Sequence, residues 1–205
     1  TAPSITIGDA GAEDTKLVFD GNAQDFHIGL DDSADSLTIG LGSALGTTTH
    51  MLIDANGIIT TPLNPCAFIQ ANNETNFTGD GSSVTLGVTS GVGHTEIYDQ
   101  NADLSGGTFT APVDGKYMCA GVIALTGFAA DHTDWRIDLE YSNRALYQRI
   151  KPANIIGAGD GIFMPFCVVM ECDANDTIVV KTSVTGGSEV VDLSDSGGIS
   201  FTKVA

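Results

Sequence analysis

The groups in this chain that could do chemistry are four histidines, four cysteines and 26 acidic residues. The histidines are His27, His50, His94 and His132. None stands beside a Ser or Cys in a nucleophile pattern such as Gly-x-Ser-x-Gly, so acyl transfer has no local signature. Cys66, Cys119, Cys167 and Cys172 lack Cys-x-x-Cys spacing, which argues against a zinc ribbon. Cys119 and Cys167 sit inside apolar strand runs, where a thiol behaves as a small hydrophobe. Free buried thiols are therefore expected, with disulfide bridges as the alternative.

Asp131-His132-Thr133-Asp134 offers three metal ligands within four residues, and Asp31-Asp32-Ser33-Ala34-Asp35 is similar. Neither has the spacing of a helix-loop-helix calcium site. Acidic turn residues more often bond their own backbone. Trp135, Tyr141, Tyr147 and Phe163 have faces that stack on sugar rings. Trp135, however, alternates in phase with Ile137 and Leu139, which places it in a core. Cleavage of polysaccharide needs two carboxylates about 5–10 Å apart, and no pair is singled out among so many acids. The chain therefore reads as a non-enzyme. Gly157 to Gly161 and Gly186-Gly187 lack the Lys-Ser/Thr and the strand–loop–helix context of a phosphate loop. Asn73, Asn76 and Asn175 open short glycosylation-type matches that matter only in a secreted eukaryotic protein.

The elements that must carry these groups are strands. Residues 135–142 alternate with period two, and no window keeps a helical spacing over three turns. Turns rich in Gly, Asp and Ser recur between some ten strand-like runs from Cys66 onward, the pattern of a sandwich or jelly roll. Residues 1–63 differ: short apolar pieces, Gly- and Asp-rich links, and a tetrad ending in Ile-Gly at Ile5–Gly8, Phe26–Gly29 and Leu37–Gly40. Asp54-Ala55-Asn56-Gly57 predicts a hairpin with a type I′ turn and arms Leu52-Ile53 and Ile58-Ile59. About 60 residues with few large side chains rarely build a sufficient core alone, so this stretch is expected to borrow one from partner chains. Three copies about one axis would supply it. Thr61-Pro62-Leu63-Asn64-Pro65 marks the boundary, giving segments 1–63 and 64–205.

A net charge of −18 with only eight bases excludes nucleic acid and anionic membranes as partners. It also opposes self-association unless salt or cations screen it. No apolar run is long enough to insert in a membrane as a helix. The chain begins at Thr1, which reads as a fragment or a processed product. Free thiols fit assembly in a reducing cytoplasm.

Thr108-Phe109-Thr110-Ala111-Pro112-Val113-Asp114-Gly115-Lys116-Tyr117 reads as a strand end, a Pro-led turn and a second strand. Tyr117 leads a strand expected in the core. With Cys66-Ala67-Phe68, Ile97-Tyr98-Asp99, Met170 to Val180 and Gly198 to Val204 in order, residues 66–205 resemble the jelly-roll heads of the complement-q and tumour necrosis factor type. That resemblance implies an all-β fold: a jelly-roll sandwich head that forms a homotrimer. Residues 14–42 and 51–60 resemble shaft segments of bacteriophage tail fibres, and no Gly-X-Y collagen stalk is present.

Together these imply a structural virion fibre protein, assembled in the host cytoplasm, with a short-stranded trimeric shaft and a head that binds a host-surface polysaccharide or protein. Its other partners would be tail or capsid proteins. A capsid or neck decoration fibre, and a polysaccharide-cleaving tip, are the alternatives. The expected receptor-binding loops are 128–134 and 153–160, with Phe128, Asp131, His132, Asp134, Asn154 and Asp160 as candidates, because loops on a rigid sandwich carry binding. No cofactor is demanded. Ca2+ is the one candidate, since an ion on the threefold axis, as in some relatives, would help hold so acidic a trimer; its ligands are not assignable from sequence.

Overall fold

A computed structural model of the chain describes residues 3–89, 92–155 and 161–205. Strands dominate, and the described helical residues are two single 3-10 turns, Asp32–Ala34 and Pro152–Asn154. The chain divides into two compact units, Thr1–Asn64 and Pro65–Ala205.

The first unit is an antiparallel meander of β1 (Thr15–Phe19), β2 (Phe26–Asp31), β3 (Ser36–Leu41), β4 (Thr49–Ile53) and β5 (Ile59–Thr60), paired in sequence order. The β4–β5 hairpin forms where Asn56-Gly57 predicts it, pairing Ile53 with Ile59. Its turn is not type I′. Gly57 has φ of +81° while Asn56 does not have positive φ. Gly57 N–H donates to Asp54 O at 2.9 Å, and Asp54 N–H to Ile58 O at 3.1 Å. This is a type I turn closed by a left-handed Gly. The Asp54 carboxylate accepts from the backbone N–H of Ile58 at 2.8 Å and of Asn56 at 2.9 Å, and the Ile58 bond is the main cause holding its pKa below the ordinary value.

The second unit contains β6 (Cys66–Ala71), β7 (Glu74–Thr78), β8 (Val84–Thr85), β9 (Val88–Thr89), β10 (Val92–Asp99), β11 (Leu104–Ser105), β12 (Thr108–Thr110), β13 (Gly115–Thr126), β14 (Asp134–Tyr141), β15 (Arg144–Ile150), β16 (Ile162–Cys172), β17 (Thr177–Thr185), β18 (Val191–Leu193) and β19 (Gly198–Lys203). One sheet runs β16–β13–β19–β6–β10–β9, with β18 on the far end of β13 and β7 on β18. The other runs β11–β12–β17–β14–β15, with β8 on β17. The chain crosses between the sheets from β12 to β13, β13 to β14, β15 to β16 and β16 to β17, which is jelly-roll connectivity. Pro165 is tolerated within β16 because, among the described residues, that strand pairs with β13 alone and lies at an edge.

Period-two alternation sends one face of each sheet inward. Trp135, Ile137 and Leu139 of β14 and Ile178, Val180 and Val184 of β17 meet Tyr117, Cys119, Ile69 and Phe201 in one core. Phe109 stacks on Phe201 with ring centroids 5.2 Å apart. The Trp135 indole N–H donates to Thr182 Oγ1 at 2.9 Å, and that hydroxyl donates on to Arg136 O. Tyr117 is fully buried, as its place in the central segment predicts, and its hydroxyl donates to Val113 O at 2.8 Å. Gly115 already belongs to β13. A Cβ there would lie 2.5 Å from Ala205 O, so close approach of the chain end requires the glycine.

Candidate binding site

The expected loop at 128–134 is only partly a surface. Phe128 and His132 are buried, which corrects the expectation that they face a ligand. Ala129 N–H donates to His132 Nδ1 at 2.8 Å, so the proton lies on Nε2, which donates to Ser188 O at 3.1 Å. The His132 ring packs edge-on to Phe128, which in turn contacts Trp135. Gly186-Gly187 makes room for this turn: a Cβ at Gly187 would lie 2.5 Å from His132 Nε2, and Gly186 has φ of +107°. Asp131 is exposed on the same turn. His132 faces inward with both nitrogens engaged, so Asp131, His132 and Asp134 do not converge as metal ligands. Asp31 accepts from Ser33 Oγ and Ala34 N–H and caps a 3-10 turn. Among the described residues no group of three His, Cys, Asp or Glu is placed to hold a metal.

Asp134 and Asn154, from the two expected loops, do come together. They line a cleft of about 360 Å³ with Thr133, Arg149, Lys151 and Ala153, where β14 begins and β15 ends. Asp160 lies outside the described residues. Sequence reasoning missed Arg149 and Lys151. The signal was available: residues 134–151 carry four of the eight bases, Arg136, Arg144, Arg149 and Lys151, against three acids.

Alternation places Asp134, Arg136, Asp138 and Glu140 on the outward face of β14. Arg149 and Tyr147 lie opposite Arg136 and Asp138 on β15, and Lys181 lies opposite Asp138 on β17. Ion pairs lace this face: Arg136 with Asp138, Arg149 Nε with Asp134 Oδ1 at 2.7 Å, and Lys181 Nζ with Glu140 Oε2 at 2.6 Å. The hydrogen bond and charge of Asp138 raise the Arg136 pKa, and those of Asp134 raise that of Arg149. Arg136 also lies over the Tyr147 ring, 5.2 Å from its centroid.

The other sheet turns a different face outward. Its cross-strand rows are Cys66–Thr202–Met118–Val169, Phe68–Ser200–Ala120–Cys167 and Gln70–Gly198–Val122–Pro165. Tyr98 pairs with Phe68 beyond these. No residue in the three rows is charged. Cys167 is exposed here, against the expectation of a buried thiol, while Cys119 and Cys172 are buried. Burial pushes the Cys66, Cys119 and Cys172 thiols up, the opposite of an activated nucleophile.

The meander of the first unit inverts the usual pattern. Leu17, Phe19, Phe26, Ile28, Leu30 and Leu37 share one face, which is exposed. Ile39, Leu41, Met51 and Ile53 continue it in register, with Ile28, Ile39 and Met51 aligned across three strands. The opposite, covered face holds His27, Gly29, Asp31, Ser36, Thr38 and Gly40. There His27 Nδ1–H donates to Gly42 O at 2.9 Å. A Cβ at Gly40 would lie 2.4 Å from Thr48 O and 2.7 Å from the His27 ring, which accounts for the glycine of the third tetrad.

No helix of the described residues is long and apolar enough to cross a membrane. No protein-family model matches the chain, and no curated protein matches it. Among solved structures, the globular domain of zebrafish complement 1qA protein is similar over 69% of this chain and 98% of its own, at 15% identity and a TM-score of 0.47. Murine APRIL crystallised at pH 8.5 is similar over 69% of this chain and 99% of its own, at 14% identity and a TM-score of 0.43. Its pH 5.0 crystal structure gives 13% identity and 0.44 over the same shares. The chain is an all-β protein whose second unit is a jelly-roll sandwich, on the strength of its own strand pairing and core.

Proposed function

We propose that this chain is a self-assembling virion fibre protein: residues 1–63 form part of a trimeric shaft, and residues 64–205 form a head that binds a host-surface receptor. One observation carries the reading. Each unit presents an uncharged sheet face, largely exposed in the meander and half-buried to exposed in the sandwich, in a protein of net charge −18. Contiguous exposed apolar faces mark association surfaces. The meander gives the stronger case, because its own covered side is polar and supplies little core.

Copies of the same chain are the partner that explains both faces at once. Two copies would stack face to face. Three would close around an axis, the arrangement that the resemblance to complement-q-type heads implies. The ion-paired face of β14, β15 and β17 then stays outward, available to a receptor. Ca2+ remains the candidate ion for offsetting acidic repulsion at the axis. Adhesion would be multivalent, with several weak contacts raising avidity.

An antibody against residues 64–205 tests the virion and receptor roles together. It should decorate fibre tips on intact particles and block their adsorption to host cells. Decoration of the capsid wall or neck with adsorption unaffected would contradict the receptor role.

A further inference from the structure

The face that stays outward is electrically unlike the rest of the chain. Residues 134–151 carry four bases and three acids, whereas the whole chain is at −18. Most of the chain meets an anion with net negative charge, whereas this hairpin has a local excess of one base. The cleft at the end of this hairpin is lined by Thr133, Asp134, Arg149, Lys151, Ala153 and Asn154, five of them with polar side chains. Asp134 grips Arg149 through Nε, which fixes the plane of the guanidinium. Lys151 is exposed and belongs to none of the ion pairs among the described residues.

Tyr147 stands two residues before Arg149 on the same face of β15, about 7 Å along the strand. Tyr147 is 65% exposed, with the Arg136 guanidinium over one face of its ring. An exposed ring beside an arginine and a set of mixed donors and acceptors fits a sugar: the ring takes the apolar face of the pyranose, and the polar groups take its hydroxyls. The volume is at the small end for ligand clefts, about 300–1,000 Å³, and suits one or two sugar units rather than a folded partner.

We propose that this cleft, with Tyr147 as its platform, binds an anionic sugar, a pyranose bearing a carboxylate or a phosphate. Arg149 and Lys151 meet the anion, and Tyr147 stacks on the ring. The proposal rests on the receptor-binding role argued above and names the ligand class for it.

Titration of the full chain with hexagalacturonate, mannose 6-phosphate, neutral maltohexaose and poly-L-glutamate tests it. One or both anionic sugars should bind, and the neutral sugar should bind at least tenfold more weakly. Arg149→Ala, Lys151→Ala and Tyr147→Ala should each weaken binding at least fivefold. Arg144→Ala, on the same hairpin but outside the cleft, should change it less than twofold.

Four outcomes would overturn the proposal. The first is absence of binding by either anionic sugar. The second is equal binding of maltohexaose. The third is equal binding of poly-L-glutamate, which would indicate an acidic peptide. The fourth is an equal loss in Arg144→Ala, which would indicate diffuse charge alone. The oligomeric mass of the same samples separates this from the broader reading. A protein that assembles but ignores anionic sugars overturns the ligand class and leaves assembly standing.

Discussion

At the scale of single residues, two buried polar groups set measurable terms in stability. His94 is buried, its Nδ1 lacks a partner, and burial holds its pKa down at about 4. The unfolded chain takes up that proton near pH 6.5. Stability is therefore complete above pH 6.5 and falls as the pH drops toward 4. The loss is about 2–3 kcal/mol at pH 4.5. His94→Gln should remove this part of the pH dependence in denaturant titrations. An unchanged difference between pH 7 and pH 4.5 would contradict it. Thr182 is the second case: Thr182→Val strips the acceptor from the buried Trp135 N–H and should cost about 1–3 kcal/mol. The change is read as a lower midpoint in chemical denaturation with the slope unchanged.

How much could be read in advance differs from residue to residue. Trp135 was legible as core because period two is a local signal, and Tyr117 because it leads a long apolar run after the Pro-led turn. Phe128 and His132 were not. Their turn looks polar in sequence, and their burial depends on Gly186-Gly187, more than fifty residues away. Arg149 and Lys151 gain their place beside Asp134 only through the β14–β15 pairing, although the clustering of bases in residues 134–151 was visible. The Asp54 to Gly57 hairpin was legible, but its turn type was set by which residue took positive φ.

At the scale of elements, the meander of residues 15–60 shows what alternation alone leaves open. The sequence reveals that Ile28, Ile39 and Met51 fall in phase with their neighbours. It does not reveal that the covering loop at residues 42–48 lies on the opposite, polar side, as the His27–Gly42 and Leu41–Thr48 bonds show. Ile28→Asp tests the consequence. On a solitary chain, a charge on this exposed face should change stability by less than about 0.5 kcal/mol. If the face is an interface between copies, the same substitution should disrupt assembly at micromolar concentration while far-UV circular dichroism stays unchanged. Ala120→Asp applies the same test to the uncharged rows of the sandwich. Wild-type assembly in both variants would contradict the assignment of these faces.

At the scale of the whole molecule, the proposed trimer has to hold three chains of −18 each against their own repulsion. Assembly should therefore strengthen as salt rises through the range where the Debye length falls below ~10 Å. A specific role for Ca2+ predicts more: about 5 mM CaCl2 should raise the melting temperature further than NaCl of matched ionic strength. Equal shifts would reduce the ion to screening. The central claim is that apolar faces on this acidic chain are interfaces between its own copies, closed around a threefold axis. Sedimentation equilibrium in physiological salt tests it most directly. The account predicts a mass three times the 21.2 kDa of one chain. A folded monomer at micromolar concentration would contradict it.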